Sequence, residues 1–160
     1  MTIAVGDKIP SAKLKTMTAE GPKDISTDEI FGGKKVVLFA LPGAFTPTCS
    51  AKHLPGFVEK AAQIKDKGVA TIACLAVNDA FVMGAWGNQQ NTDGKVLMLA
   101  DGSATFTKQL GLELDLTGPG MGIRSKRYAM VVDNGVVKAL NVEAPGAFEV
   151  SSADAILKAL

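Results

Sequence analysis

The sequence predicts an α/β fold, a central mixed sheet flanked by helices with an N-terminal extension. Three observations carry that prediction. Val36–Ala40 (VVLFA) and Val69–Val77 (VATIACLAV) are unbroken apolar runs, the pattern of strands buried on both faces. Amphipathic stretches lie between such runs, as crossover helices require. Asp133-Asn134-Gly135 separates two further apolar runs, which is the strongest short hairpin signal in the chain. A chain of 160 residues, 47% hydrophobic and 21% charged, suits one domain over residues 1–160.

After the strand Val36–Ala40, two prolines and a glycine interrupt the chain within Leu41–Pro47. A helix is expected from about Pro47–Thr48, since proline suits a first helical turn. Pro55-Gly56 should kink or interrupt it. Leu54, Phe57, Val58, Ala61, Ala62 and Ile64 then form its apolar face, and Gly68 is placed to end it. A second helix is expected over Asp79–Gln90 with Asn78 as N-cap. Val96–Ala100 reads as a third strand and Ser103–Leu110 as a short helix ended by Gly111. Tyr128–Val132 and Val136–Leu140 flank the Asn-Gly turn, and Ser151 is placed to cap a last helix. This order suggests a thioredoxin-like arrangement.

Composition removes several classes of function. Lys and Arg total 17 against 16 Asp and Glu, so no bulk charge draws the chain to nucleic acid or an anionic membrane. No apolar run reaches the ~18 residues of a membrane span. The first ten residues lack a signal-peptide pattern. Two cysteines and one histidine assemble neither a disulfide framework nor a dense metal cluster, and they fit a reducing, cytoplasmic setting. Cysteine chemistry remains the leading possibility.

Cys49 follows the turn after the first central strand and falls in a first helical turn. Free N–H groups and the helix dipole favour a thiolate there. Thr46-Pro47-Thr48-Cys49 has Cys-x-x-Cys spacing with a hydroxyl at the first position, so no dithiol closes. The hydroxyl could bond the sulfur or a bound oxygen. Lys52 occupies the other position that a dithiol exchanger would need.

Pro42-x-x-x-Thr46-x-x-Cys49 resembles the active-site signature of the peroxiredoxins, and Pro42–Phe57 resembles their type II, peroxiredoxin 5-like branch. The likeness continues through Leu75–Gly87, Lys95–Asp101 and Arg124–Glu143. It implies a thiol-dependent peroxidase with a thioredoxin-like fold and no bound cofactor or metal. Carried onto this sequence, Cys49 is the peroxidatic sulfur, oxidised to sulfenic acid. Thr46 bonds the peroxide, Pro42 shields the thiolate, and Arg124 arrives from a distant segment to stabilise thiolate and leaving oxygen. Substrates would be hydrogen peroxide and alkyl hydroperoxides. Lys126 and Arg127 read as a solvated basic stretch.

Cys74, inside an apolar run, reads as an inert buried thiol, the alternative being a resolving cysteine that forms a Cys49–Cys74 disulfide reduced by thioredoxin. Cys49 is expected to be open to peroxide, and no third cysteine lies near the C-terminus. Glutathione with glutaredoxin is therefore the expected reductant. A peroxide sensor relaying its oxidation to a partner is the competing class. His53 reads as structural rather than catalytic. Of Phe45, Phe81, Met83 and Trp86, Phe81 reads as core packing. Phe45 and Trp86 suggest a homodimer face near the site, or an apolar collar for alkyl hydroperoxides. Gly118–Gly122 reads as a mobile turn positioning Arg124.

Overall fold

Both apolar runs become strands sealed on two faces. In the computed structural model, which describes residues 1–160, β3 (Lys35–Ala40) lies parallel to β4 (Thr71–Ala76), and β4 parallel to β5 (Leu97–Ala100). Alternation along the strands divides the core. Val37, Phe39, Ile72 and Cys74 face α2 (Leu54–Glu59), α3 (Ala61–Lys65), α4 (Ala80–Gln89) and α6 (Ala153–Ala159). Leu38, Ala40, Ala73 and Leu75 face α1 (Thr27–Phe31) and α5 (Thr105–Leu110). Covering both faces is what allows these strands to dispense with polar positions.

β8 (Tyr128–Asp133) runs antiparallel beside β3, with Tyr128 opposite Ala40, and turns into β9 (Val136–Val142). Asn134 and Gly135 both have positive φ, 47° and 78°, as a tight hairpin of this hand requires. At the far side, β1 (Lys13–Thr18) and β2 (Gly21–Ser26) form a hairpin joined to β5 through Lys15 and Ala100. The seven-stranded order is β2-β1-β5-β4-β3-β8-β9. β6 (Glu113–Leu116) and β7 (Gly122–Ser125) make a separate two-stranded ribbon. No helix is long and apolar enough to cross a membrane.

The N-terminal extension is thus a hairpin that prolongs the sheet. Its sequence hides this, because Leu14 is the only buried residue of the two strands. Caps also shift by a residue. Asp79, not Asn78, caps α4, its Oδ1 accepting from Val82 N at 2.8 Å. Ser152, not Ser151, caps α6. The short helix expected from Ser103 begins at Thr105, behind a left-handed Ala104, and the Asp101 carboxylate accepts from the N–H groups of Phe106 and Thr107. Asn78 and Ser151 are engaged elsewhere, with Ala44 N and with His53 and Glu143.

Candidate active site

The turn after β3 carries the sulfur. Ala44 N donates to Asn78 Oδ1 at 2.9 Å, tying this turn to the loop after β4. Phe45 has φ 65°, a left-handed conformation that costs a bulky residue about 1–2 kcal/mol. Pro47 and Thr48 open the helix as expected, but Cys49–His53 is a π-helical turn before α2. Leu54 N reaches back five residues to Cys49 O. Pro55 supplies the reason: it has no N–H for the carbonyl of Ala51, so the regular four-residue ladder cannot continue. From α4 and the Gln90 that caps its C-terminus, Trp86 Nε1–H donates to Ser50 Oγ at 3.1 Å and Gln90 Nε2–H to Ser50 O at 3.2 Å. The turn next to Cys49 is held from outside its own helix.

The guanidinium at the sulfur belongs to Arg127. Its NH2 donates to Cys49 Sγ at 3.2 Å, and its NH1 donates to His53 Nδ1 at 2.9 Å. Arg124, expected there, is turned elsewhere. Its NH1 donates to Pro42 O at 3.2 Å and its Nε to Met121 O at 2.9 Å. The sheet explains the exchange. Tyr128 pairs with Ala40, so the residue just before Tyr128 flanks the chain where β3 runs toward Cys49. Arg124 lies in β7, in the ribbon, and reaches only the turn behind the sulfur. A side chain at Gly43 would collide with Arg124, 2.6 Å from its NH1, so that glycine admits the arginine.

His53 is fully buried against Phe39, Phe57 and Phe148. Its Nε2 lies 2.9 Å from Ser151 O. A donor at Nε2 and an acceptor at Nδ1 define the neutral ring. Burial first, then the charge of Arg127, pushes its pKa down to about 3. Ser151 is fixed in turn by Glu143, whose carboxylate accepts from Ser151 Oγ and from the N–H groups of Glu149, Val150 and Ser151. Burial works against that charge, but these hydrogen bonds hold its pKa below the usual range. Phe148 lies over Arg127, 5.8 Å from its guanidinium carbon. The loop before α6 therefore roofs the arginine, a feature that no local sequence signal announces.

Thr46 Oγ1 donates to Gly43 O at 2.7 Å rather than to the sulfur, leaving its lone pairs available. Cys49 is fully buried, contrary to the expectation of an open thiol. A cavity of about 190 Å³ is lined by its neighbours Pro42, Thr48 and Arg127 among others, and not by Cys49 itself. Cys74 is fully buried within β4, and burial pushes its thiol well above its ordinary pKa. Both cysteines are free thiols. The apolar rim also differs from expectation. Trp86 and Met83 are core, whereas Phe81 is 67% and Phe45 51% exposed. No group of three His, Cys, Asp or Glu side chains could hold a metal.

The Redoxin family profile matches residues 4–157. The chain is a peroxiredoxin of that family. Peroxiredoxin-2E-2, chloroplastic, from Oryza sativa subsp. japonica is 55% identical over 99% of this peroxiredoxin and 73% of its own length. The crystal structure of reduced Prx3 with hydrogen peroxide from Vibrio vulnificus is 59% identical, with TM-score 0.95 over 99% of each chain. Peroxiredoxin 5 from Alvinella pompejana is 36% identical, with TM-score 0.87 over 98% of this chain and 97% of its own. The fold is thioredoxin-like, and the peroxiredoxin is a thiol peroxidase.

Proposed function

We propose that Cys49 is the sulfur that reduces hydrogen peroxide and alkyl hydroperoxides, with Arg127 as the guanidinium acting on it. The observation that carries this reading is the Arg127–Cys49 hydrogen bond. A guanidinium stays charged at working pH and gives a fixed fork of donors, which suits a thiolate and an oxygen gaining charge. The Cys49 thiolate attacks one peroxide oxygen. An S–O bond forms as the O–O bond breaks, and the electron pair leaves on the other oxygen. That oxygen takes a proton and departs as water or an alcohol, leaving Cys49 as sulfenic acid.

Each neighbour has a part set by its contacts. The Thr46 proton is committed to Gly43 O, so the hydroxyl acts as an acceptor for the peroxide O–H and orients it. Pro42 walls the cavity and shields the thiolate. Arg124 acts one step back, fixing the Pro42 carbonyl. The test is peroxide consumption by Cys49→Ser with a thiol supply; wild-type turnover in that variant contradicts the assignment.

Glutathione with glutaredoxin is our proposed reductant. What favours it is Cys74, opposite Phe39 on one side and Met98 on the other in the sheet. Freeing it for a Cys49–Cys74 disulfide, the route that suits thioredoxin, breaks ladder hydrogen bonds worth about 1 kcal/mol each. Turnover with glutathione and glutaredoxin against turnover with thioredoxin decides between them. The exposed Phe45 and Phe81 support a homodimer contact near the site. Two free thiols support a reducing compartment, the cytoplasm in our reading.

A further inference from the structure

We propose that Glu143 is a positioning residue for the peroxide reaction: through Ser151 and His53 it aims the Arg127 guanidinium at Cys49 without taking up its charge. The inference rests on the reading of Cys49 as the reacting sulfur, and it adds what holds the cation in place. The hydrogen bonds close a ring that starts and ends on Arg127. Arg127 O accepts from Glu143 N at 2.9 Å. The Glu143 carboxylate accepts from Ser151 N at 2.8 Å and from Ser151 Oγ at 2.6 Å. Ser151 O lies 2.9 Å from His53 Nε2, and His53 Nδ1 lies 2.9 Å from Arg127 NH1. The other terminal nitrogen, NH2, then falls 3.2 Å from Cys49 Sγ.

The ring of bonds admits one tautomer of His53. Arg127 offers donors and no acceptor, so Nδ1 must present its lone pair. Ser151 O offers only lone pairs, so Nε2 must carry the proton. In the other tautomer both contacts set like against like. The selecting carbonyl sits between Val142 and Ala153, where the chain has no helix or strand to hold it. The Glu143 carboxylate supplies the missing anchor. Its Oε2 alone accepts from the N–H groups of Glu149, Val150 and Ser151 and from the Ser151 hydroxyl. Bonds to a charged acceptor are roughly twice as strong as neutral ones.

A carboxylate set directly on the guanidinium would hold it too, but would offset its charge. Neither Arg127 nor Glu143 joins an ion pair. A neutral imidazole holds the arginine instead. Burial among Phe39, Phe57 and Phe148, with the Arg127 charge beside it, keeps that ring uncharged. The guanidinium therefore reaches the sulfur with its charge unspent, as an oxygen gaining negative charge requires. Phe148 immediately precedes Glu149, whose N–H the carboxylate binds, and its ring lies 5.8 Å from the guanidinium carbon. One carboxylate thus anchors both the carbonyl that orients His53 and the aromatic ring that covers Arg127.

His53 is the only histidine of the chain, so nitrogen NMR of histidine-labelled protein reads its tautomer without assignment. The wild type at neutral pH should show Nε2 protonated and Nδ1 bare. Glu143→Gln should bring in the second tautomer and lower the second-order rate with hydrogen peroxide by about tenfold, within the coupling range of one hydrogen-bond network. In an Arg127→Gln background the same substitution should lower the remaining rate by less than about twofold, because the arginine it positions is gone. A general loss of packing would lower the rate in both backgrounds alike. Ser151→Ala, which removes only the hydroxyl bond to the carboxylate, should move both readouts the same way by a smaller step, and it runs the same cycle if Glu143→Gln does not fold. A wild-type ring protonated at Nδ1, a wild-type rate in folded Glu143→Gln, or an equal loss in the two backgrounds overturns the positioning role and leaves the Cys49 reading standing. Sulfenic acid trapped on Cys74 in the wild type overturns both.

Discussion

Arg127 joins Cys49 to His53, donating to Sγ at 3.2 Å with one terminal nitrogen and to Nδ1 at 2.9 Å with the other. The fork fixes the guanidinium on two buried atoms, and the second atom accepts only while the imidazole is neutral. Two sequence readings change together. The arginine three residues upstream gives up the sulfur contact, and the histidine on the cysteine's helix becomes the arginine's support.

Arg127→Gln should lower the second-order rate with hydrogen peroxide by about 100-fold or more, the usual cost of a lost donor at a reacting oxygen. Arg124→Gln, which loses contacts to Pro42 O and Met121 O, should lose much less. Stopped-flow measurement on both variants checks the order; a reversed order restores Arg124 to the sulfur.

His53 makes stability depend on pH. Its folded pKa of about 3 lies below the ordinary histidine value of 6.5, so the unfolded chain binds more protons between those values. Stability should be fully present above about pH 6.5 and fall toward pH 3, by at most about 1.4 kcal/mol per pH unit from this group. Urea unfolding at pH 7, 6 and 5 measures the slope. His53→Gln should flatten it, and an unchanged slope in that variant contradicts the buried neutral ring.

Cys74→Ala should keep substantial turnover while lowering stability by about 1–2 kcal/mol, the cost of a small cavity in a packed core. Thermal unfolding and a coupled peroxidase assay read the two effects. A loss of turnover with unchanged stability would assign Cys74 a chemical part.

Phe81 is the most exposed of the large apolar residues beyond the first five positions, and Phe45, in the turn before Cys49, is also exposed. Phe81→Glu should convert a homodimer to monomer in sedimentation at micromolar concentration. A wild type that sediments only as monomer removes the dimer from the account.

Much of this was legible in the chain. The runs Val36–Ala40 and Val69–Val77 named the central strands because burial on both faces leaves no polar residue to confuse the pattern. Asn134-Gly135 named the hairpin because few residue pairs accept two positive φ values. The β1–β2 hairpin was not legible, since its one buried side chain, Leu14, gives no alternation. Arg127 escaped for a different reason. Its place at the sulfur follows from the pairing of Tyr128 with Ala40, a relation between strands far apart in the chain. Glu143, Phe148 and Ser151 likewise act on the site through packing that only the folded chain assembles.

In the proposed mechanism peroxide reacts at Cys49 under the Arg127 guanidinium. Its most direct measurement is one equivalent of hydrogen peroxide added to the reduced protein with a sulfenic-acid trapping reagent, followed by peptide mass spectrometry. The trapped adduct is expected on Cys49 alone, formed much more slowly in Arg127→Gln and absent in Cys49→Ser. An adduct on Cys74, or trapping at Cys49 at an unchanged rate in Arg127→Gln, would contradict it.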